Sequence, residues 1–364
     1  MHTNIPKTNW RRMLLCAGAG LLALPAFAAV ETVTYGNFEV SFYGNGDVFS
    51  SSYYKNPTGT SDWTQDAKDS VGRALNYWSD VITTESTEKV KISFVWQDLA
   101  SGALGGASPL YYWNPRTGVC LSNGEKALRG GTGNYYNLSG ETTALVQLST
   151  SASFYYGASE TGIKNNQYDL QSVLVHEIGH MMGFDSFCNA YELSDGSTSI
   201  GWLNTINFGY ENFTAVTTFD TMLVAENASG ELVSVFEPTD AGYIYGYGNT
   251  VNYRQQVEFS PGTKYYLKTG EGEAGELQLS TLKVFNPDTW MGGSSMSHVE
   301  ATGTGEEPQM SYAIANGKIR RELTSEELTL LKAMGWTVAV PEPSAFSLLA
   351  GMFVLAFAVS RRKR

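Results

Sequence analysis

Charge is scarce in this chain of 364 residues: only 16% of them are Asp, Glu, Lys or Arg. The acidic ones outnumber the basic ones 36 to 24, for a formal net charge of -12. That balance argues against nucleic acid or an anionic membrane surface as a partner. Histidine is rarer still, with four in the whole chain, so imidazole chemistry has few places to reside. Of three cysteines, Cys16 falls in the leader described below. Cys120 and Cys188 remain, enough for one possible disulfide in an oxidising compartment. No internal repeat is evident, and long apolar runs are confined to the two ends. Glycine and tyrosine are plentiful, 38 and 21, which fits a β-rich extracellular protein.

The two ends read as processing signals. Lys7, Arg11 and Arg12 precede an apolar run from Met13 to Leu24, followed by Ala26-Phe27-Ala28, a small-x-small cleavage pattern. The run falls short of the ~20 apolar residues that span a bilayer, so residues 1–28 are expected to be a cleaved signal peptide. At the other end, Pro341-Glu342-Pro343 leads into an apolar stretch from Ala345 to Val359 and then Arg361, Arg362, Lys363 and Arg364. A basic cluster after an apolar span stalls translocation. These three parts in this order resemble the PEP-CTERM sorting signal, here over residues 341–364. The resemblance implies signal peptidase and exosortase as processing partners and transient anchoring through a short transmembrane helix. It also implies delivery to the envelope, outer surface or extracellular matrix of an exopolysaccharide-producing Gram-negative bacterium.

Between the signals, residues 29–340 suffice for one large domain. Val30 to Phe49 alternates as one or two strands. Ala67, Val71, Ala74, Leu75, Trp78, Val81 and Ile82 recur at helical spacing, predicting a helix from about Thr64 to Ile82. Lys89 to Trp96 and Ala144 to Leu148 read as strands, and the Gly-rich stretch from Ser101 to Gly140 as mostly loop. A further helix is capped by Asp169, carries Leu170, Val173, Leu174, Ile178, Met181 and Met182, and ends at Gly183. A long β-leaning region follows, with strand candidates Tyr243 to Tyr247, Val251 to Phe259 and Tyr265 to Lys268. Near the end, Thr324 and Glu327 form a capping box, with Leu323 and Leu328 as its staple. That last helix runs to Met334 and closes at Gly335.

The chemistry sits on the Asp169-capped helix. His176-Glu177-Ile178-Gly179-His180 is an HExxH pattern. Residues four apart share one helical face, so both imidazoles can reach one ion, and Glu177 beside them can take a proton from water. A catalytic zinc needs a third protein ligand and an open position. Gly183 is in register for the compact metzincin motif, but Ser186 stands where its third histidine belongs. His2 lies in the leader, which leaves His298, in the Gly-Ser loop Gly292-Gly293-Ser294-Ser295-Met296-Ser297-His298. Asp185, and less readily Glu192, stay open as carboxylate alternatives.

HExxHxxG, a long insertion, a distant third His and the later Met310-Ser311-Tyr312 resemble the leishmanolysin-like branch of the metzincin zinc metalloproteases. The stretch from Tyr168 to Phe184 and the closing Gly335-Trp336 are also similar to metalloproteases that carry PEP-CTERM tails. The resemblance implies zinc held by His176, His180 and His298, Glu177 as general base, and Met310 as the Met turn. Tyr312 would steady the oxyanion, as in the astacin and serralysin branches. The fold implied is α+β: a twisted sheet with an active-site helix and a C-terminal helix, and a β-rich insertion over about 187–290. The function implied is a secreted or surface-sorted zinc endopeptidase acting on protein or peptide substrates, with no stable partner. Ala144 to Leu148 is expected to pair with an extended substrate. The alternative is a non-catalytic, zinc-stabilised surface or matrix protein, whose metal would be closed by four ligands.

Overall fold

The alternation after Val30 resolves into two strands, β1 (Glu31–Tyr35) and β2 (Phe38–Tyr43), in the computed structural model. The structure describes residues 30–339, apart from 52, 101, 131–133, 193–197, 203–204, 209–210, 245–247, 272–275 and 304–305. The signal peptide and sorting signal expected at 1–28 and 341–364 therefore lie outside the described residues. Among the described residues, no helix is long and apolar enough to cross a membrane.

Thr64 opens α1 (Gln65–Val81) by accepting the Ala67 N–H, and Ile82 closes it, at the boundaries its periodicity predicts. Its apolar face is fully buried: Ala67, Val71, Ala74, Leu75 and Trp78. The chain then enters β3 (Val90–Gln97) and, after a long excursion, β8 (Ala144–Ser149). That excursion contains β4 (Gly105–Ser108), β5 (Tyr111–Asn114), β6 (Val119–Ser122), α2 (Asn123–Leu128) and β7 (Tyr136–Asn137). The expected loop from Ser101 to Gly140 is therefore largely structured. Its elements are too short, and β4 too rich in glycine, for a period to show; the Ser122–Glu125 capping box that starts α2 was the available signal.

One five-stranded sheet runs in the order β1-β2-β3-β8-β4. β2, β3 and β8 are parallel neighbours, while β4 is antiparallel to β8 and forms the edge. β8 is thus paired on both sides, which corrects the expectation that Ala144 to Leu148 offers a free edge. β4 holds that position instead. Beneath the sheet, α3 (Leu170–Met181) packs against α1, with the Trp78 indole donating to the Val175 carbonyl at 3.0 Å. Mixed α+β architecture is what results, with helices and sheet sharing one large apolar core.

The region from Asn189 to Lys283 is a set of short β-ladders, mostly antiparallel hairpins, as its composition predicts. Of the three strand candidates there, Val251 to Phe259 and Tyr265 to Lys268 overlap the strands Gly248–Gln255 and Tyr266–Glu271, while Tyr243 to Tyr247 shares two residues with the strand Phe236–Ile244 and otherwise lies outside the described residues. Val216–Thr217 pairs with β6, so these ladders are stitched into the rest of the fold. The Thr324–Glu327 capping box forms, and α4 (Ser325–Ala333) packs beside the strands Tyr266–Glu271 and Leu277–Lys283. Cys120 and Cys188 are both free and buried, which corrects the possible disulfide. Cys120 packs with Trp113 and Phe213, whereas Cys188 belongs to the main core. Burial pushes both thiols up, which disfavours the thiolate at either.

Candidate metal centre

The Asp169 carboxylate starts α3 by accepting the Ser172 N–H at 2.9 Å, and Arg321 grips the same carboxylate through two nitrogens. On this anchored helix His176 and His180 share a face. After Met182, Gly183 turns the chain with φ of 100°. A side chain there would lie 2.8 Å from the Glu125 carboxyl carbon, so glycine is needed for both conformation and space.

His298 arrives from far along the chain. Its strand-like segment is fixed by backbone bonds from Phe285 N–H to the His298 carbonyl (2.8 Å) and from Val299 N–H to the Met310 carbonyl (3.0 Å). The Nε2 atom of His176 lies 3.0 Å from that of His298 and 3.3 Å from that of His180, and the three ligand atoms form one cluster. Among the described residues this is the group able to hold a metal ion.

The donor chemistry fits a cation. Each Nδ1 faces a backbone carbonyl: Gln309 for His176 (2.9 Å), Phe184 for His180 (2.5 Å) and Ser294 for His298 (2.8 Å). A carbonyl only accepts, so each ring carries its proton on Nδ1. A neutral imidazole has one N–H, so all three Nε2 atoms present lone pairs to one another. Three converging acceptors repel unless a cation lies between them. Two nitrogens bound tetrahedrally at about 2.0–2.1 Å stand about 3.3 Å apart, close to the spacing found. Burial pushes His176 down to about 3, helped by His180, and holds His298 well below the ordinary value.

Ser186, where the compact motif would place its third histidine, serves as an anchor. Its hydroxyl donates to Asp220 at 2.6 Å, and its N–H lies 3.2 Å from the Ser297 hydroxyl. His298 therefore enters beside the place that Ser186 leaves without a ligand. Asp185 is engaged by the Tyr111 hydroxyl and the Ser186 N–H, and is not part of the metal-capable cluster. Glu192 ends the strand Asn189–Glu192, and its side chain lies outside the described residues.

Glu177 is buried beside the histidines, against β4. The Ala107 N–H stabilises its carboxylate, but burial dominates and pushes it up to about 8. A side chain at Gly105 would lie 2.9 Å from the Glu177 carboxylate oxygen, so glycine lets the edge strand close over it. Met310 lies directly under the helix, its sulfur against Gly179. Tyr312 is exposed on the cleft wall, its ring stacked on Phe285 with centroids 3.9 Å apart.

Two residues escaped the sequence reading. Glu327, recognised only as a helix cap, also accepts the N–H groups of Gln309 (3.1 Å) and Met310 (2.6 Å). It therefore fixes the turn whose Gln309 carbonyl holds His176. Asp220, fully buried, accepts from Ser186, Phe187, Trp202 and Thr217, and so ties the β-rich region to the segment after the motif. No local motif marks either role, because each partner is distant in sequence.

The three histidines, Glu177 and Tyr312 line one cleft of about 1510 Å³, with residues 102–109, parts of α3 and the 290–298 loop, and Gln309 and Ser311. Tyr53, Tyr136, Met291 and Tyr312, all large and exposed, stand on its walls. Comparison with protein families, with curated proteins and with solved structures returned no match.

Proposed function

We propose that this chain is an exported zinc-dependent endopeptidase of metzincin type, with the long insertion of the leishmanolysin-like branch. The observation that carries the reading is the convergence of three Nε2 lone pairs next to a buried Glu177, at the floor of an open cleft. Bound zinc would supply Lewis acidity, polarising a carbonyl oxygen and making water nucleophilic near neutral pH. His176, His180 and His298 would hold it, leaving a position open on the cleft side.

Glu177 takes the proton of the attacking water and returns it to the leaving amine. Its raised affinity for protons suits both halves of that task, and a divalent cation alongside draws the value back toward neutrality. β4 (Gly105–Ser108) is the edge strand of the sheet beside Glu177, where an extended peptide can add as a further strand. The Tyr312 hydroxyl is proposed to steady the developing oxyanion. Exposed aromatic side chains gathered on one cleft favour a binding surface. A purely structural zinc would be closed by four protein ligands, whereas the cluster among the described residues has three. Export, exosortase sorting and envelope or matrix location belong to the same proposal, through the terminal segments.

The test is Glu177→Ala in zinc-loaded protein with casein as substrate. Zinc content should persist while cleavage falls by about 100-fold or more. Undiminished cleavage would exclude the mechanism.

A further inference from the structure

Two adjacent arginines follow the Met310 segment, and they are satisfied differently. Arg321 grips the fully buried Asp169 through its Nε and Nη2 nitrogens, at 2.9 and 2.6 Å. Arg320 instead lines the cleft, with Ser172, Val173, His176, Tyr312 and Ala313. No carboxylate among the described residues lies within ion-pair distance of it.

Its guanidinium is nevertheless held in place. Nη1 donates to the Pro308 carbonyl and to the Ser311 hydroxyl (2.5 Å), and Nη2 donates to the Ala313 carbonyl at 2.6 Å. The Arg320 backbone N–H donates to the Ser172 hydroxyl at 2.7 Å, which places the residue one helical turn from His176. A guanidinium has five N–H donors, and three are engaged here. The Nε and Nη2 edge, which on Arg321 clasps a carboxylate, meets a single neutral carbonyl on Arg320. All three side-chain hydrogen-bond partners are uncharged, and Glu307 and Glu327 act on the partly buried guanidinium only from beyond ion-pair distance. Among the described residues that line the cleft, Arg320 is the one Lys or Arg.

We propose that Arg320 is a specificity-determining residue, which receives the carboxylate of an Asp or Glu side chain flanking the cleaved bond. The proposal rests on the proteolytic reading and narrows it to acidic-residue substrates. A preformed guanidinium fork loses little entropy on binding and matches a carboxylate with two N–H groups. The guanidinium lines the same cleft as His176 and acts on it electrostatically, which puts the fork beside the site where a residue flanking the reacting carbonyl would lie.

Zinc-loaded wild type and Arg320→Gln are compared on matched peptides with Asp, Glu, Asn or Leu on either side of the scissile bond. Wild type should favour the acidic peptides at one flanking position by about 10- to 100-fold in kcat/KM over Asn. In Arg320→Gln the acidic peptides should lose that advantage over the Asn and Leu peptides, over and above any loss common to all four. Arg320→Lys keeps the charge but loses the fork, and should retain part of the preference; it covers failure of the Gln variant to fold. In a second arm, fluorescent peptides are bound to zinc-loaded Glu177→Ala with and without Arg320→Gln, where the acidic peptide should lose its advantage.

Equal loss on every peptide would make Arg320 only a strut of the 308–313 loop and overturn the proposal, as would absence of acidic selectivity in wild type. Wild type that cleaves no peptide but binds acidic ones through Arg320 would sink the proteolytic reading and spare the subsite.

Discussion

The sulfur of Met310 fills the space that a side chain at Gly179 would need. Gly179 lies between His176 and His180 on the metal-site helix, and a methyl group there would come within 2.9 Å of the Met310 terminal carbon. One methionine is thus seated on one glycine of the helix that carries both histidines. In a free helix, Gly→Ala is stabilising by about 1 kcal/mol. Here, overpacking of about 1–3 kcal/mol opposes it. Gly179→Ala is therefore expected to lower Tm in calorimetry and to weaken zinc binding. An unchanged or raised Tm would show that Met310 moves aside freely.

Glu327 links the C-terminal helix to the metal site through two backbone N–H groups of the Met310 turn. In Glu327→Gln one acceptor oxygen becomes an NH2 group facing donors, so the turn and its hold on His176 loosen. Outer partners of metal ligands typically carry a 10–100-fold effect on affinity, and about that loss in zinc affinity is expected. Competition titration with a zinc chelator measures it; loss of Tm with unchanged zinc affinity would confine Glu327 to helix capping.

Stability without metal should depend on pH through the same buried groups. His176 and His298 are held neutral, with His176 down to about 3. Their contribution is complete above about 6.5, the ordinary histidine value, and is lost as pH falls toward 3. Glu177, raised to about 8, acts oppositely. Its contribution is complete below about 4.3 and is lost as pH rises through 8. Chelator-treated protein unfolded in urea at several pH values should show both limbs. His298→Gln should flatten the acid limb and Glu177→Gln the alkaline one, each by up to about 1.4 kcal/mol per pH unit. Curves parallel to wild type would place these titrations elsewhere.

Local signals carried much of this architecture. Thr64, Asp169 and Thr324 each cap the helix that their spacing implied. The His176–His180 pair needs only helical geometry, and the scarcity of histidine narrowed the third donor to His298, although 122 residues separate it from His176. What stayed hidden depends on tertiary neighbours. β4 has almost no side chains to pattern, so the true edge strand escaped while the more regular β8 was favoured. Glu327 and Arg320 act across the fold on partners that no sequence window contains.

X-ray absorption of the zinc-loaded protein tests the central claim most directly. One zinc per chain is expected, with three imidazole nitrogens at about 2.0–2.1 Å and oxygen from solvent completing the shell. His298→Ala should lose one nitrogen and most of the affinity. A zinc closed by four protein ligands, or a spectrum that His298→Ala leaves unchanged, would contradict it.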